Sequence, residues 1–142
     1  GDYHKPKTRL PGGGGAPEIA TSCGEIFITM KQSRRGLVEK IDFVTTFGHG
    51  VGGPARENMG LKTKGPTLMV TDLAVWKPDP ETKEFTVETL HPGVTREAVQ
   101  ETCGWPVKFS DGLAVTPEPT ELELTTLRDL QARTKAAHAG AA

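Results

Sequence analysis

Apolar residues along this chain come in short runs that Gly- and Pro-rich turns separate. The run within Glu25 to Lys31 is rich in β-branched and aromatic residues, which is typical of a strand covered on both faces. Leu68 to Trp76 predicts a second strand, and Phe85 to Leu90 predicts the strand that returns beside it. Because the polar stretch Lys77 to Lys83 lies between them, the pattern predicts a β-hairpin with a long loop.

Helical signals alternate with these strands. Short helices are predicted over Pro17 to Cys23, where proline and glutamate suit the first turn, and over Thr95 to Cys103, which Gly104 ends. Pro54 opens a short polar helix after a glycine-rich loop. A capping-box spacing at Thr120 begins a last helix, with a stripe of leucines, that runs to about residue 135 before it frays.

The remaining segments carry weaker patterns. Residues 37–46 alternate apolar and polar positions imperfectly and are interpreted as extended, as are residues 107–109 and the stretch that follows a turn through residue 115. Short strands that alternate with short helices, without repeats or a low-complexity linker, favour an α/β layer architecture in a single domain.

Composition narrows the classes of partner. The 142 residues are 35% hydrophobic and 25% charged, with a net charge of -1, so there is no basic excess to draw the chain to nucleic acid or anionic lipid. Its apolar runs fall short of the ~20 residues that a membrane-spanning helix needs. We therefore expect a soluble cytoplasmic protein whose partners are small molecules or other proteins.

The two cysteines point to no special chemistry. Cys23 and Cys103 are far apart, and neither belongs to a CxxC pair or a histidine cluster with metal-ligand spacing. We expect two buried, reduced structural thiols and no metal site. The chain opens on Gly1 and soon reaches a turn segment, so we also expect a fragment or a processed product.

The most unusual local feature is the run of glycines from Gly12 to Gly15, directly before the first predicted helix. Glycine adopts positive φ readily and leaves backbone N–H groups exposed, and the helix dipole is positive at the same place. Such a loop can bind a phosphate or a developing oxyanion, where each fixed donor is worth roughly 3–4 kcal/mol. The run matches neither a P-loop nor a full GxGxxG motif, so by itself it fits a plain flexible loop equally well.

The order of motifs around this loop resembles a known family. The segments PGGGGAPEIA (11–20), RRGLVEKIDFVT (34–45), VTDLAV (70–75) and LHPGVTREAVQETCGW (90–105) occur in the same order in the B subunits of class I coenzyme A transferases. The last two are the most specific, because they form a long ordered string of strand, hairpin, turn and helix. The resemblance covers roughly residues 3–135.

The resemblance implies an open α/β sheet of the coenzyme A transferase type, truncated at its N-terminus, with residues 1–142 forming the C-terminal part of a B (beta) chain of such an enzyme. It also implies an A (alpha) partner, usually in an α2β2 assembly with the active site between the two kinds of chain. Coenzyme A is then a substrate, passed between an acyl thioester and a carboxylic acid of the 3-oxoacid, glutaconate or 3-oxoadipate type. No tightly bound cofactor is implied.

By the same resemblance, Gly12, Gly13, Gly14 and Gly15 match the oxyanion loop of the family. The nucleophile of these enzymes is a glutamate upstream of that loop, in a segment of the S-E-N-G type, which forms first an acyl anhydride and then a coenzyme A thioester. No such segment occurs in this chain. Glu18 follows the glycines, where a charge in the first turn of a helix is the simpler role. We therefore expect this chain to be inactive alone.

A second resemblance lies within the same fold. Residues 1–20 and the FGHG segment (47–50) are similar to the B subunits of actinobacterial enzymes that open the last steroid ring of a coenzyme A thioester with water. These relatives lack the usual glutamate nucleophile in their B subunits. On that alternative, His49 passes protons near the substrate. A histidine in a surface loop is the competing interpretation.

Two arginines complete the candidate site. Arg34 and Arg35 offer bidentate forks that suit the phosphates of coenzyme A, although a subunit interface or a solvated turn explains them equally well.

Asp72, inside an apolar run, is expected to be a buried, hydrogen-bonded carboxylate. Trp76 and the C-terminal leucines are expected in a core or an interface. The rival from another functional class is a non-catalytic binding or assembly subunit.

Overall fold

The computed structural model describes residues 4–5, 7–9 and 12–139. Strands and helices are interspersed along this part of the chain, and three successive strands have no helix between them. The strands are β1 (Ile26–Thr29), β2 (Pro66–Val70), β3 (Ala74–Pro78), β4 (Phe85–Leu90) and β5 (Phe109–Val115). The helices are α1 (Ala16–Ser22), α2 (Ala55–Asn58), α3 (Arg96–Glu101) and α4 (Glu121–Ala139).

The strands form one mixed sheet in the order β1-β2-β3-β4-β5. The outer pairs, β1 with β2 and β4 with β5, are parallel, while β3 runs antiparallel to both of its neighbours. Since β1, β2, β4 and β5 all run in one direction, they end at one edge of the sheet, the carboxyl edge, and begin at the other, the amino edge. This arrangement confirms the predicted open α/β sheet.

The hydrophobic core joins the sheet to α3. Trp76 on β3 and Val87 on β4 have no exposed surface and pair directly across the sheet. Val99 of α3 and Cys103 just beyond it complete the group of the largest fully buried side chains, which we call the α3 core. Each apolar side chain buried in this way contributes roughly 1.5–3 kcal/mol.

Two predicted strands have different limits in the structure. Residues 68–76 do not form one strand, because the chain turns at residues 71–73. There the Thr71 hydroxyl accepts hydrogen bonds from the N–H groups of Leu73 (3.2 Å) and Ala74 (3.0 Å). The prediction was wrong because a side-chain oxygen turns the backbone within an apolar run. Conversely, the two short runs predicted near the end of the sheet merge into the single strand β5.

The extended segment predicted over residues 37–46 contains no strand. It is a loop on which Ile41, Phe43 and Val44 are all exposed. The prediction was wrong here because alternation of apolar and polar residues makes a strand only where packing and a neighbouring strand support it.

The predicted helices are present, with shifted ends. The capping box of α4 is confirmed, since the N–H of Glu123 donates to the Thr120 hydroxyl and the N–H of Thr120 donates to the Glu123 carboxylate (2.7 Å). The helix continues to Ala139 instead of fraying from Ala136, and residues 140–142 lie outside the described ones. No side chain of α4 is buried, so its leucines do not belong to the core. No helix in the described ranges is long and apolar enough to cross a membrane.

Candidate functional site

The glycine loop, Gly12 to Gly15, is exposed and leads directly into α1. Gly14 has a φ of +56°, a backbone conformation that favours glycine. At Gly12 and Gly15 φ is not positive, and an added Cβ would meet nothing within 4 Å. Gly15 caps α1 without any side-chain hydrogen bond. Among the described residues, none accepts a hydrogen bond from the N–H groups of Gly13, Gly14 or Gly15, which leaves these donors available to a ligand.

One contact links the glycine loop to a second glycine-rich segment, residues 47–53. A Cβ at Gly13 would lie 3.5 Å from the carbonyl oxygen of Thr45, which precedes that segment. Close approach of two backbones therefore brings the loop beside the chain that leads to His49. The apolar side chains of Phe43 and Val44, next to this contact, are exposed.

His49 lies half-buried on the glycine-rich segment, near the amino edge of the sheet. Its Nε2 is 2.6 Å from the carbonyl oxygen of Pro66, the first residue of β2. Because a carbonyl only accepts, Nε2 carries a proton and donates it. The ring lies 6.4 Å from that of Phe85. His49 also borders a groove of about 680 Å³.

Arg56, a residue that the sequence analysis does not single out, holds this region together. It is only 6% exposed. Its guanidinium donates to the carbonyl oxygens of Thr63 (3.1 Å), Gly48 (2.8 Å) and Ala20 (3.3 Å) and to the Thr63 hydroxyl. It thereby ties α1, the glycine-rich segment and the loop before β2 to one another. The flanking glycines are typical of an ordinary loop, so only the fold shows this role.

Arg34 and Arg35 lie elsewhere. Both are exposed in the turn after β1, and neither forms an ion pair with a described residue. This turn follows the carboxyl edge, while His49 binds the start of β2. The same segment packs on the end of α3, where the N–H of Gly104 donates to the carbonyl oxygen of Leu37 (2.8 Å). The structure therefore does not bring these arginines together with His49.

A buried polar network at the carboxyl edge is a second feature that the sequence analysis does not single out. Gln32 is buried; its Nε2 donates to the carbonyl oxygen of Val99 (3.1 Å), and its Oε1 accepts from the Thr71 hydroxyl (3.0 Å). His91 donates from Nε2 to the carbonyl oxygen of Thr71 (2.9 Å). Asp72 accepts from the N–H of Gln32 (2.7 Å) but is exposed, so its predicted burial was wrong.

The two cysteines differ from each other. Cys103 is buried in the α3 core, and burial raises the pKa of its thiol, whereas Cys23 is exposed. The prediction of burial is therefore confirmed for Cys103 and wrong for Cys23. Both thiols are free. In the described part of the chain, no group of three or more His, Cys, Asp and Glu side chains is placed to hold a metal ion.

Sequence comparison relates the chain to proteins of known kind. A family model described as coenzyme A transferase matches residues 1–102. The chain is 54% identical over 138 residues to the B subunit of 3-oxoadipate CoA-transferase from Pseudomonas knackmussii, a match that covers 97% of this chain and 53% of that protein. For the B subunit of glutaconate CoA-transferase from Acidaminococcus fermentans the identity is 39% over 126 residues, covering 87% of this chain and 47% of the relative. The chain is 26% identical over 130 residues to the cholesterol ring-cleaving hydrolase IpdB subunit of Rhodococcus jostii. This match covers 92% of this chain and 51% of that protein. The chain thus spans about half the length of the curated relatives it matches.

Solved structures of two of these relatives share the fold. Glutaconate coenzyme A-transferase from Acidaminococcus fermentans matches with a TM-score of 0.76 at 35% identity, over 90% of this chain and 49% of that chain. Rhodococcus jostii IpdAB matches with a TM-score of 0.76 at 26% identity, over 90% of this chain and 51% of that chain. The fold is therefore common to a transferase and a ring-cleaving hydrolase, and sequence identity is higher to the transferases.

Proposed function

This chain belongs to the coenzyme A transferase family, and from that membership we propose that it is part of the B subunit of an enzyme that transfers coenzyme A between an acyl thioester and 3-oxoadipate or a related dicarboxylic acid. The observation that carries the proposal is the 54% identity, over 97% of this chain, to the B subunit of a 3-oxoadipate CoA-transferase. Coenzyme A is a substrate in this reaction, and the proposal includes no tightly bound cofactor.

The glycine loop has the first role in this proposal. Attack on a thioester places negative charge on its carbonyl oxygen, and fixed N–H donors at that oxygen stabilise the transition state. The exposed N–H groups of Gly13, Gly14 and Gly15, and the positive φ of Gly14, support the assignment of Gly12 to Gly15 as the oxyanion loop. Arg34 and Arg35 have no ion-pair partner among the described residues, which supports a role in binding phosphate; that role stays a prediction.

The rest of the active site comes from outside residues 1–142 in this proposal. The glutamate nucleophile that the resemblance implies has no counterpart in this sequence. We therefore assign the chain to the C-terminal part of a B subunit that works with an A subunit in an α2β2 assembly. A cytoplasmic location belongs to the same proposal, and two free thiols are compatible with a reducing compartment.

A chimera tests this function. The segment of the Pseudomonas knackmussii B subunit that aligns with this chain is replaced with residues 1–142, and the chimera is expressed with the A subunit of that enzyme. We expect the complex to transfer labelled coenzyme A to 3-oxoadipate, and we expect a chimera with Gly14→Ala to lose most of that transfer. A chimera that assembles with the A subunit and yet transfers no coenzyme A to 3-oxoadipate, glutaconate or a 3-oxoacid would contradict the proposal and favour a non-catalytic role.

Hydrolytic carbon–carbon cleavage of a steroid-derived coenzyme A thioester is the second candidate. The match to the cholesterol ring-cleaving hydrolase and the half-buried position of His49 beside a groove favour it. Borohydride trapping separates the two chemistries in the active complex. A trapped glutamyl thioester indicates transfer, whereas turnover of a ring-bearing thioester without any trapped adduct indicates hydrolysis.

A further inference from the structure

The groove beside His49 collects positive charge. It opens at the amino edge of the sheet, where β2 begins and β3 ends, and has a volume of about 680 Å³. Its charged lining consists of Arg56, Lys62, Lys64 and Lys83 against a single carboxylate, Glu57. The whole chain carries a net charge of -1, so this excess of cations is local. We call this site the cationic groove.

The charge on Arg56 is not neutralised within the described residues. Its hydrogen-bond partners are three carbonyl oxygens and one hydroxyl, all uncharged, and these bonds engage four of the five N–H groups of a guanidinium. The guanidinium also lies 5.9 Å from the centre of the Phe47 ring, another uncharged group. A buried cation without a carboxylate partner leaves a positive field in the adjoining space, because burial weakens screening by solvent.

Lys83 lines the groove from a fixed loop, and its ammonium donates to the carbonyl oxygen of Pro80 (2.6 Å) in the same loop. It is the one non-glycine residue with positive φ (63°) among those described. The Asp79 carboxylate accepts hydrogen bonds from the N–H groups of Glu81 (3.0 Å) and Thr82 (2.7 Å), which holds the loop in a tight turn. The carbonyl of Thr82 in turn accepts from the N–H of Gly53 (3.2 Å). This turn fixes the position of Lys83 on the groove wall, and an ammonium has three donors, so two remain for a ligand.

Lys62 and Lys64 come from the loop before β2. Lys64 lies 3.7 Å from the carboxylate of Glu25; an exposed pair of this length is weak and leaves the ammonium available. One arginine and three lysines from three separate segments therefore line the groove, and the Lys64 and Lys83 ammonium groups each have one protein partner. Lysine is a common phosphate ligand that acts as a point charge.

We propose that the cationic groove binds a phosphate-bearing anion. The volume of the groove, about 680 Å³, and its several separate cations suit a pyrophosphate or nucleotide phosphate group better than a single carboxylate. Identification of that anion as the phosphate-bearing part of coenzyme A rests on the proposed function, and it competes with the predicted phosphate role of Arg34 and Arg35 at the opposite edge of the sheet. A free phosphate compound is the other source of the same chemistry.

Titration of the full chain with inorganic pyrophosphate, coenzyme A and pantetheine tests the proposal, with binding followed by calorimetry. We expect pyrophosphate and coenzyme A to bind and pantetheine, which lacks phosphate, not to bind. Affinity is expected to fall as salt rises from about 50 mM to about 500 mM, because the cations are partly exposed.

Lys62→Gln and Lys83→Gly should each weaken pyrophosphate binding by about two- to fivefold. Circular dichroism checks that each variant is folded; glycine at position 83 also relieves the positive φ.

Two matched variants keep the test specific. Arg128→Gln removes one positive charge from α4, which lines no part of the groove, and should leave binding unchanged. Arg35→Gln removes one from the turn after β1. The proposal is overturned if pyrophosphate does not bind, if Lys62→Gln and Lys83→Gly do not weaken it, or if Arg35→Gln weakens it more than they do. If pyrophosphate binds at the groove and coenzyme A does not, the groove is supported with a free phosphate compound as its ligand, and only the coenzyme A assignment fails.

Discussion

The α3 core and the glycine-rich region around Arg56 are built in opposite ways. In the α3 core, Trp76, Val87 and Val99 are fully buried apolar side chains that pack on one another. Around Arg56, the backbone is held by hydrogen bonds from one guanidinium and by glycines with positive φ, while nearby apolar side chains such as Phe43 remain exposed. The region that carries the candidate chemistry therefore has little apolar packing of its own, and its exposed apolar surface is available to residues outside this chain.

The largest loss of stability on substitution is expected in the α3 core. Trp76→Ala should lower the free energy of unfolding by about 3–5 kcal/mol, because it opens a cavity where the side chain is fully buried. Phe27→Ala, on the exposed face of β1, is the matched aromatic control and should change stability by no more than about 0.5 kcal/mol. Urea denaturation measures both. Equal effects at the two positions would show that the sheet edge is as tightly packed as the core.

The next effect is expected at Arg56. Arg56→Met removes the donors to Gly48, Ala20 and Thr63 and leaves buried or partly buried carbonyl oxygens unpaired, which should cost about 2–3 kcal/mol. Hydrogen exchange should accelerate in α1 and the glycine-rich segment more than in β4. Arg35→Met, at an exposed position, serves as the control and should leave exchange unchanged. Uniform acceleration across the sheet would mean that Arg56 supports the whole fold instead of this region.

A smaller effect is expected in the glycine loop. Gly14→Ala should cost about 1 kcal/mol, because its φ of +56° disfavours a side chain although space is open. Gly12→Ala, which meets no neighbour and has no positive φ, should be neutral. Thermal unfolding of the two variants compares them. An equal loss at both positions would indicate that the loop tolerates no side chain anywhere, and that its conformation is more constrained than the φ values show.

Thiol labelling compares the two regions without any substitution. Cys23, exposed just after α1, should react with a thiol reagent at least about tenfold faster than Cys103, because the Cys103 thiol is buried and burial raises its pKa. Mass spectrometry of the partly labelled chain identifies which cysteine has reacted. Similar rates would mean that the α3 core opens readily in solution.

Local signals along the chain account for much of this fold. The capping box at Thr120, the proline and glycine positions around α1, and the hairpin of β3 and β4 follow from short-range rules of helix caps and turns. Such rules act between residues that are close in sequence, so a single sequence displays them. They fail where a side chain redirects the backbone, as Thr71 does, and where alternation has no neighbouring strand, as in residues 37–46.

The α/β class, the glycine loop before α1 and the resemblance to coenzyme A transferases can all be read from the sequence, because each depends on residue order or on local conformation. Which distant residues meet becomes visible in the folded chain alone. The fold separated Arg34 and Arg35 from His49 by placing them at opposite edges of the sheet, and it gathered Arg56 and three lysines around one groove. Contacts of this kind arise from strand order and parallel register, which bring together segments far apart in sequence, and no local pattern records them.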